Sequence, residues 1–231
     1  MKSFNYHKWV MKKWDSDIIE YIAQIHEYKG KQELFLKREP NVLNKLVDLA
    51  IIQSTTSSNK IEGIVTTDQR VKDLVKKKVS PRNRDEEEIM GYQDVLSIIH
   101  ENFEFIPITR SIILQLHRDL YKYSQKSIGG KFKNTQNYIT EKRSDGTSFI
   151  RFMPLEPYET PQAINDICTN YNEQMDKDLI NPLLLIPIFI HDFLFIHPFN
   201  DGNGRMSRLL TTLLLYKTGY VVGKYISLEK K

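Results

Sequence analysis

Apolar residues recur along most of this chain at intervals of three and four, the spacing that lines one face of an α-helix. Trp9 and Trp14 lead into Ile18, Ile19, Ile22 and Ile25, with Asp15 or Ser16 placed to cap a helix and Gly30 to interrupt it. The two tryptophans read as packing anchors. After Leu34, Phe35, Leu36 and Pro40, a second helix carries Val42, Leu43, Leu46, Val47, Leu49, Ala50 and Ile51. It runs on through residues 54–62 to Gly63, a good C-terminal cap. Thr66 and Thr67 precede a polar, lysine-rich segment ending at Ser80-Pro81. The period returns after Asp85 through Ile89, Met90, Tyr92, Val95, Leu96, Ile98 and Ile99, with acids in the first turn. It recurs behind a Thr109 cap through Ile112, Ile113, Leu116 and Leu120, and behind Thr160-Pro161 through Ile164, Ile167 and Tyr171. Asn181-Pro182 opens residues 183–195, apolar nearly all round, which predicts the buried centre of the fold, with Pro187 bending this helix or lying in its first turn. A last helix runs through Leu209, Leu210, Leu213, Leu214 and Leu215 to Tyr216, closed by Gly219.

The pattern changes once. Asp145-Gly146 lies between the β-prone flanks Tyr138, Ile139 and Phe149, Ile150, Phe152, which predicts a hairpin over 138–152. A lone hairpin on a helical protein has an exposed edge, so it is a decorated loop or a strand on which a peptide docks. The fold class is therefore mainly α with one short β-hairpin. An N-terminal helical region covers 1–105 and a second region covers 106–231.

Composition narrows the function classes. The 231 residues hold 33 lysines and arginines against 29 acids, a net charge of +4. The dense run Lys76-Lys77-Lys78 is answered by Glu86-Glu87-Glu88, which reads as a solvated surface and argues against a nucleic-acid partner. Hydrophobic content of 40% and charged content of 27% are those of a globular protein. The single cysteine, Cys168, excludes an intrachain disulfide framework and fits a reducing compartment; it reads as a core or boundary residue. Residues 1–6 lack a signal-peptide pattern and no run approaches 18 apolar residues, so a cytoplasmic location and no membrane partner are expected. The aromatic N-terminal segment would suit burial against a second subunit in a homodimer.

Chemistry concentrates in residues 197–208: His197, Pro198, Phe199, Asn200, Asp201, Gly202, Asn203, Gly204, Arg205, Met206, Ser207 and Arg208. The glycines around Asn203 let backbone N–H groups turn inward as an anion cradle at the N-terminus of the last helix. Asp201 is placed to hold a hard cation such as Mg2+, which binds through one or two carboxylates plus the phosphates of a substrate. His197 supplies a general base. Arg205 and Arg208, three apart, share one helical face from which both could reach successive phosphates. Each piece also has a bland reading: Gly-Asn-Gly is a common turn, a single histidine is often structural, and arginines at i, i+3 are an ordinary solvated face. Their conjunction within twelve residues favours the nucleotide site. His191 and His197 are six apart, which is not the i, i+4 pair of a zinc peptidase.

This stretch resembles, without a gap, the signature of the Fic family, His-x-Phe-x-(Asp/Glu)-Gly-Asn-Gly-Arg-x-x-Arg. The resemblance implies a Fic-type helical bundle that transfers AMP from ATP to a hydroxyl side chain of a protein. It implies that His197 deprotonates the hydroxyl, Asp201 binds Mg2+, and Gly202, Asn203 and Gly204 cradle phosphate. Arg205 and Arg208 would hold the outer phosphates, and Phe199 would anchor the loop in the core. Upstream, Ser58, Glu62 and Gly63 match the family's inhibitory motif, (Ser/Thr)-x-x-x-Glu-(Gly/Asn), in which Glu62 pairs with Arg208. The resemblance thus implies an inhibitory helix over about 41–63, a catalytic core over 106–231 and a flap on which Ile139, Thr140, Phe149 and Ile150 align the target. Gly130-Lys131-Phe132-Lys133 departs from the family in carrying Lys where many relatives carry Arg. A nucleotide-binding regulatory module with little turnover, use of another nucleotide donor, or removal of AMP remain alternatives. The target, its residue type (Tyr, Thr or Ser) and automodification are left open.

Overall fold

Chain segments with a 3.6-residue period became helices, and their polar flanks became caps. The computed structural model describes residues 4–38, 40–143 and 145–230. These comprise eight α-helices and one two-stranded antiparallel sheet: α1 (Ser16–Arg38), α2 (Pro40–Ile61), α3 (Asp68–Val75), α4 (Arg84–Asn102), α5 (Arg110–Leu120), β1 (Ile139–Lys142), β2 (Ser148–Phe152), α6 (Thr160–Lys177), α7 (Pro182–Ile196) and α8 (Asn203–Lys217). The fold is mainly α with a hairpin, as the pattern predicts. The apolar positions Phe35, Leu36 and Val42, and residues 1–3, lie outside the described positions or side chains.

Caps explain several boundaries. The Thr109 side chain accepts from the Ile112 N–H at the start of α5, and Asn181 accepts from the Leu183 N–H at the start of α7. Gly63, at φ +75°, ends the α2 turn in the left-handed region. Other boundaries differ from the pattern. Gly30 does not interrupt α1, which runs unbroken through it, because one glycine costs a helix only about 1 kcal/mol. The lysine-rich segment holds α3, capped by Thr67 and buried through Val71 and Leu74, a helix too short to betray its period. Helix α6 begins at Thr160 itself, whose hydroxyl donates to the Glu156 carbonyl. Pro187 lies inside α7.

The core gathers residues from both halves of the chain. Tyr92, Val95, Leu96 and Ile99 of α4 pack with Ile113, Leu116 and Leu120 of α5, Ile164 and Ile167 of α6, Phe189 and Phe193 of α7, and Leu209, Leu213 and Leu214 of α8. Cys168 is buried there. Gly91 permits the close crossing of α4 over α5, since a Cβ there would fall 1.9 Å from the Leu120 carbonyl oxygen. Helix α7 is central but not buried all round. Phe189, Phe193 and Ile196 face the core, while Leu184, Pro187, Ile188 and His191 line an open cavity of about 520 Å³ whose lining also includes Trp9 and Trp14. Those tryptophans stack on each other, ring centroids 6.0 Å apart. Helix α1 is largely solvent-exposed, with Ile19, Tyr21, Ile25 and Tyr28 all outward.

Candidate active site

Residues 197–208 join the end of α7 to the start of α8 by a turn with little freedom. His197 adopts a left-handed conformation, φ +50°, while its N–H still donates to the Phe193 carbonyl. A non-glycine residue there is strained, so its surroundings must hold it. Two residues on, Phe199 is fully buried and stacks flat on His117, centroids 3.6 Å apart. Asn203 then staples the loop: its side-chain oxygen accepts from the Phe199 N–H at 2.9 Å and its amide donates to the Phe199 carbonyl at 2.7 Å. The predicted role of Phe199 as anchor matches its position. Asn203 contributes its side chain to the loop, leaving its backbone N–H at the helix end.

His117 fixes the far side. Its Nδ1 accepts from the Gly130 N–H, so the proton sits on Nε2, which donates to the Asp201 carbonyl at 3.1 Å. Burial pulls the pKa of His117 down to about 4, keeping it neutral. Gly202, at φ +84°, N-caps α8, and a Cβ there would meet the Tyr121 ring at 3.0 Å, so glycine is required twice over. The first backbone N–H groups of α8 have no intrahelical acceptor and point out of the helix end with its dipole, an environment suited to an anion.

Asp201 sits at that end, its Oδ1 accepting from the Gly202 N–H at 2.7 Å and its Oδ2 from Lys126 Nζ at 3.2 Å. Burial alone would raise its pKa, but Lys126 and Arg205 hold the carboxyl below its ordinary value, hence ionised. Among the described residues no group of three or more His, Cys, Asp or Glu side chains could hold a metal by itself. Mg2+ fits the donor set because it takes a single carboxylate when phosphates and water complete its shell.

The two arginines turn different ways. Arg205 is buried beneath the loop, 1% exposed, its Nη2 2.8 Å from Glu88 Oε2 and donating to the Tyr121 hydroxyl at 2.7 Å. Its Nε and Nη1 are buried without a hydrogen-bond partner among the described residues. Arg208 points outward to α2. Its Nε donates to the buried Ser58 hydroxyl at 2.7 Å, and its Nη2 donates to the Ser58 carbonyl at 2.9 Å and to Glu62 Oε1 at 2.7 Å. A Cβ on Gly204 would lie 2.2 Å from Glu62 Oε1, so this carboxylate rests on the first turn of α8, where an incoming phosphate would be favoured.

His197 is half-buried beside this cradle. Burial lowers its pKa and the Lys133 charge lowers it further, while the Leu194 carbonyl and Glu62 act in the opposite sense. The imidazole is therefore neutral at physiological pH, the form a base needs. The hairpin stands next to the loop. Ile139 pairs with Phe152, Thr140 with Ile150 and Glu141 with Phe149, with a bulge after Ile139. Ile139, Phe149 and Ile150 are exposed, and Asn137 ties the hairpin to the loop through the Phe199 carbonyl at 2.8 Å.

Several site residues escaped the sequence pattern. Glu86 and Glu88, read as part of a solvated acidic run, are buried, paired with Arg70 and Arg205 respectively. The signal was their helical register: Glu86 lies three and four before Ile89 and Met90, and Glu88 lies four and seven before Tyr92 and Val95, so each falls on an apolar face of α4. His117, Tyr121 and Lys126 had no motif to mark them.

Residues 107–215 match the profile of the Fic/DOC family. This segment, a little under half of the chain, is similar to Fic domains. It is 22% identical over 183 residues to protein adenylyltransferase Fic of Nematostella vectensis, covering 77% of this chain and 40% of that protein. The protein of the same name from Drosophila melanogaster is 27% identical over 203 residues, covering 86% and 37%. The chain thus spans well under half the length of these curated relatives. Among solved structures, a Fic domain containing signaling protein from Bacteroides thetaiotaomicron superposes with a TM-score of 0.72 at 27% identity, covering 86% of this chain and 73% of that one. No helix among the described residues is long and apolar enough to cross a membrane.

Proposed function

We propose that this chain transfers AMP from ATP to a hydroxyl side chain of a target protein or of itself, and that Glu62 restrains it. The observation that carries the reading is the meeting of a neutral His197, an ionised Asp201 and the open N-terminus of α8 around one cradle, with Arg208 of that cradle engaged by Glu62. In the reaction, His197 takes the proton of the target hydroxyl. That oxygen forms a bond to the α-phosphorus as the bond to the β-phosphate bridging oxygen breaks, and pyrophosphate leaves. The N–H groups at the start of α8 and the Arg208 guanidinium hold the phosphates as charge develops. Bound at Asp201, Mg2+ supplies further charge neutralisation. While Glu62 lies on Gly204 and holds Arg208, it removes one phosphate contact and repels the triphosphate. The exposed strands of the hairpin suit an extended target segment added by backbone hydrogen bonds.

The test incubates wild type and Glu62→Gly with Mg2+ and ATP labelled at the α- or the γ-phosphate, with His197→Ala in the Glu62→Gly background as control. Retention of α-label alone, increased by Glu62→Gly and abolished without His197, is the expected result. Retained γ-label would mean a different group is transferred. ATP binding without any retained label, in the presence of candidate targets, would favour a regulatory binding module.

A further inference from the structure

Lys133 stands just before the hairpin and is 3% exposed, an uncommon burial for a lysine. Its backbone N–H donates to the Pro198 carbonyl at 2.8 Å, and its ammonium donates to the Ile196 carbonyl at 3.1 Å. These two carbonyls belong to the residues immediately before and after His197. One residue therefore grips both sides of the strained left-handed turn that presents the imidazole. The Ile196 carbonyl is also among the last of α7 and has no N–H donor within its own helix, at an end where a cation is favoured by the helix dipole.

We propose that Lys133 is a positioning residue for His197, its backbone and side chain together clasping the peptide on either side of the base. The inference rests on the assignment of His197 as base in the reaction above. A strained backbone persists only where its surroundings over-determine it, and the clasp supplies two of the bonds that do so. It has an electrostatic arm as well. The charged groups that act on His197 among the described residues are Lys133, from the segment before β1, and Glu62, from α2; Glu156 in turn faces Lys133. Burial lowers the pKa of Lys133 to about 8, so at neutral pH it is mostly protonated and favours the neutral imidazole.

Lys133→Met keeps the backbone bond and the side-chain length but removes the ammonium; Lys133→Arg keeps charge and donors. The first measurement needs no reaction: NMR titration of the His197 ring in the full chain, its signal assigned by loss in His197→Gln. In Lys133→Met the midpoint moves up toward that of an ordinary histidine, and in Lys133→Arg it stays near wild type. The second is α-label transfer in the Glu62→Gly background as a function of pH. Lys133→Met lowers the rate by about 10- to 100-fold, since small misplacements of a reacting group have effects of that size. Its acidic limb shifts to higher pH, the KM for ATP is unchanged, and Lys133→Arg restores the rate to within a few-fold. The melting temperature of Lys133→Met falls by no more than a few degrees, because the loss of the hydrogen bond to the Ile196 carbonyl is offset by no longer burying a charge.

An unmoved His197 midpoint together with an undiminished rate in Lys133→Met overturns the proposal. So does a rate loss that tracks a fallen melting temperature and is not rescued by arginine. If the midpoint moves as expected but Glu62→Gly transfers no label, the clasp stands and the proposed reaction falls.

Discussion

Removing Glu88 tests the central electrostatic contact of the site. Its two oxygens face different worlds: Oε1 accepts from Arg84 Nε at 2.7 Å, whose side chain is 60% exposed, and Oε2 lies 2.8 Å from Arg205 Nη2, 1% exposed. The outer pair is worth at most about 1 kcal/mol, as exposed ion pairs are. The inner one is different, since Glu88→Ala leaves the Arg205 charge buried with the Tyr121 hydroxyl as its remaining partner apart from a carboxylate 3.7 Å away on Asp201. Breaking a buried pair from one side costs about 3–5 kcal/mol. For a chain of this size that corresponds to a fall in melting temperature of about 6–20 °C. Arg84→Ala, which spares the inner pair, lowers it by no more than about 4 °C. The double variant Glu88→Leu with Arg205→Met recovers most of the loss, because matched apolar replacement of a buried pair is close to neutral. Calorimetric unfolding of the four proteins reads this directly. A Glu88→Ala melting temperature within about 3 °C of wild type would refute the reasoning, for it would mean that Arg205 finds water or another anion.

Other expectations follow from single contacts. Glu62→Gly frees Arg208 from a bond that is partly exposed, which discounts it to about 1.4 kcal/mol, so a titration calorimeter should read ATP binding about tenfold tighter; an unchanged Kd contradicts the clamp. Arg70, hydrogen-bonded to Glu86, holds that carboxyl at about 2 against an ordinary 4.5. A lowered carboxyl stabilises above its unfolded pKa and loses that contribution as pH falls through the folded value. The stability gap between wild type and Arg70→Ala, read from urea midpoints, is therefore full at pH 6 and closes between about 4.5 and about 2; a gap independent of pH would sink the assignment. Gly91→Ala drives a methyl group into the Leu120 carbonyl and costs at least about 3 kcal/mol, seen as insoluble expression or a melting temperature lower by about 6 °C or more.

The elements that were legible in the sequence are those whose signal is local. Thr109 and Asn181 declare helix starts by a short polar side chain before an apolar run, and Asp145-Gly146 declares a hairpin by the φ its turn demands; Gly146 does adopt φ +84°. The pairing of Glu62 with Arg208 spans 146 positions, yet it was legible through family resemblance. Glu88 and Arg205 had no such cue. Three consecutive glutamates near a lysine run look solvated, and only the packing of α4 against α8 and α3 puts two of them inside, Glu88 beside Arg205 and Glu86 beside Arg70. The arginines illustrate the same limit. Spacing of three places them near one another on a helix, but the buried Glu88 draws one inward while Ser58 and Glu62 draw the other outward.

The burial of Cys168 has a practical consequence. Burial raises its pKa to about 12, so at neutral pH the sole thiol of the chain is both shielded and protonated, inert toward maleimides and methanethiosulfonates. No background cysteine need be removed before labelling. Ile61, 60% exposed on the last turn of α2, and Ile150, 57% exposed on the hairpin, are open positions for introduced thiols. A spin-label pair across them would report, as a distance distribution, whether the helix that carries Glu62 moves away from the hairpin when nucleotide is added.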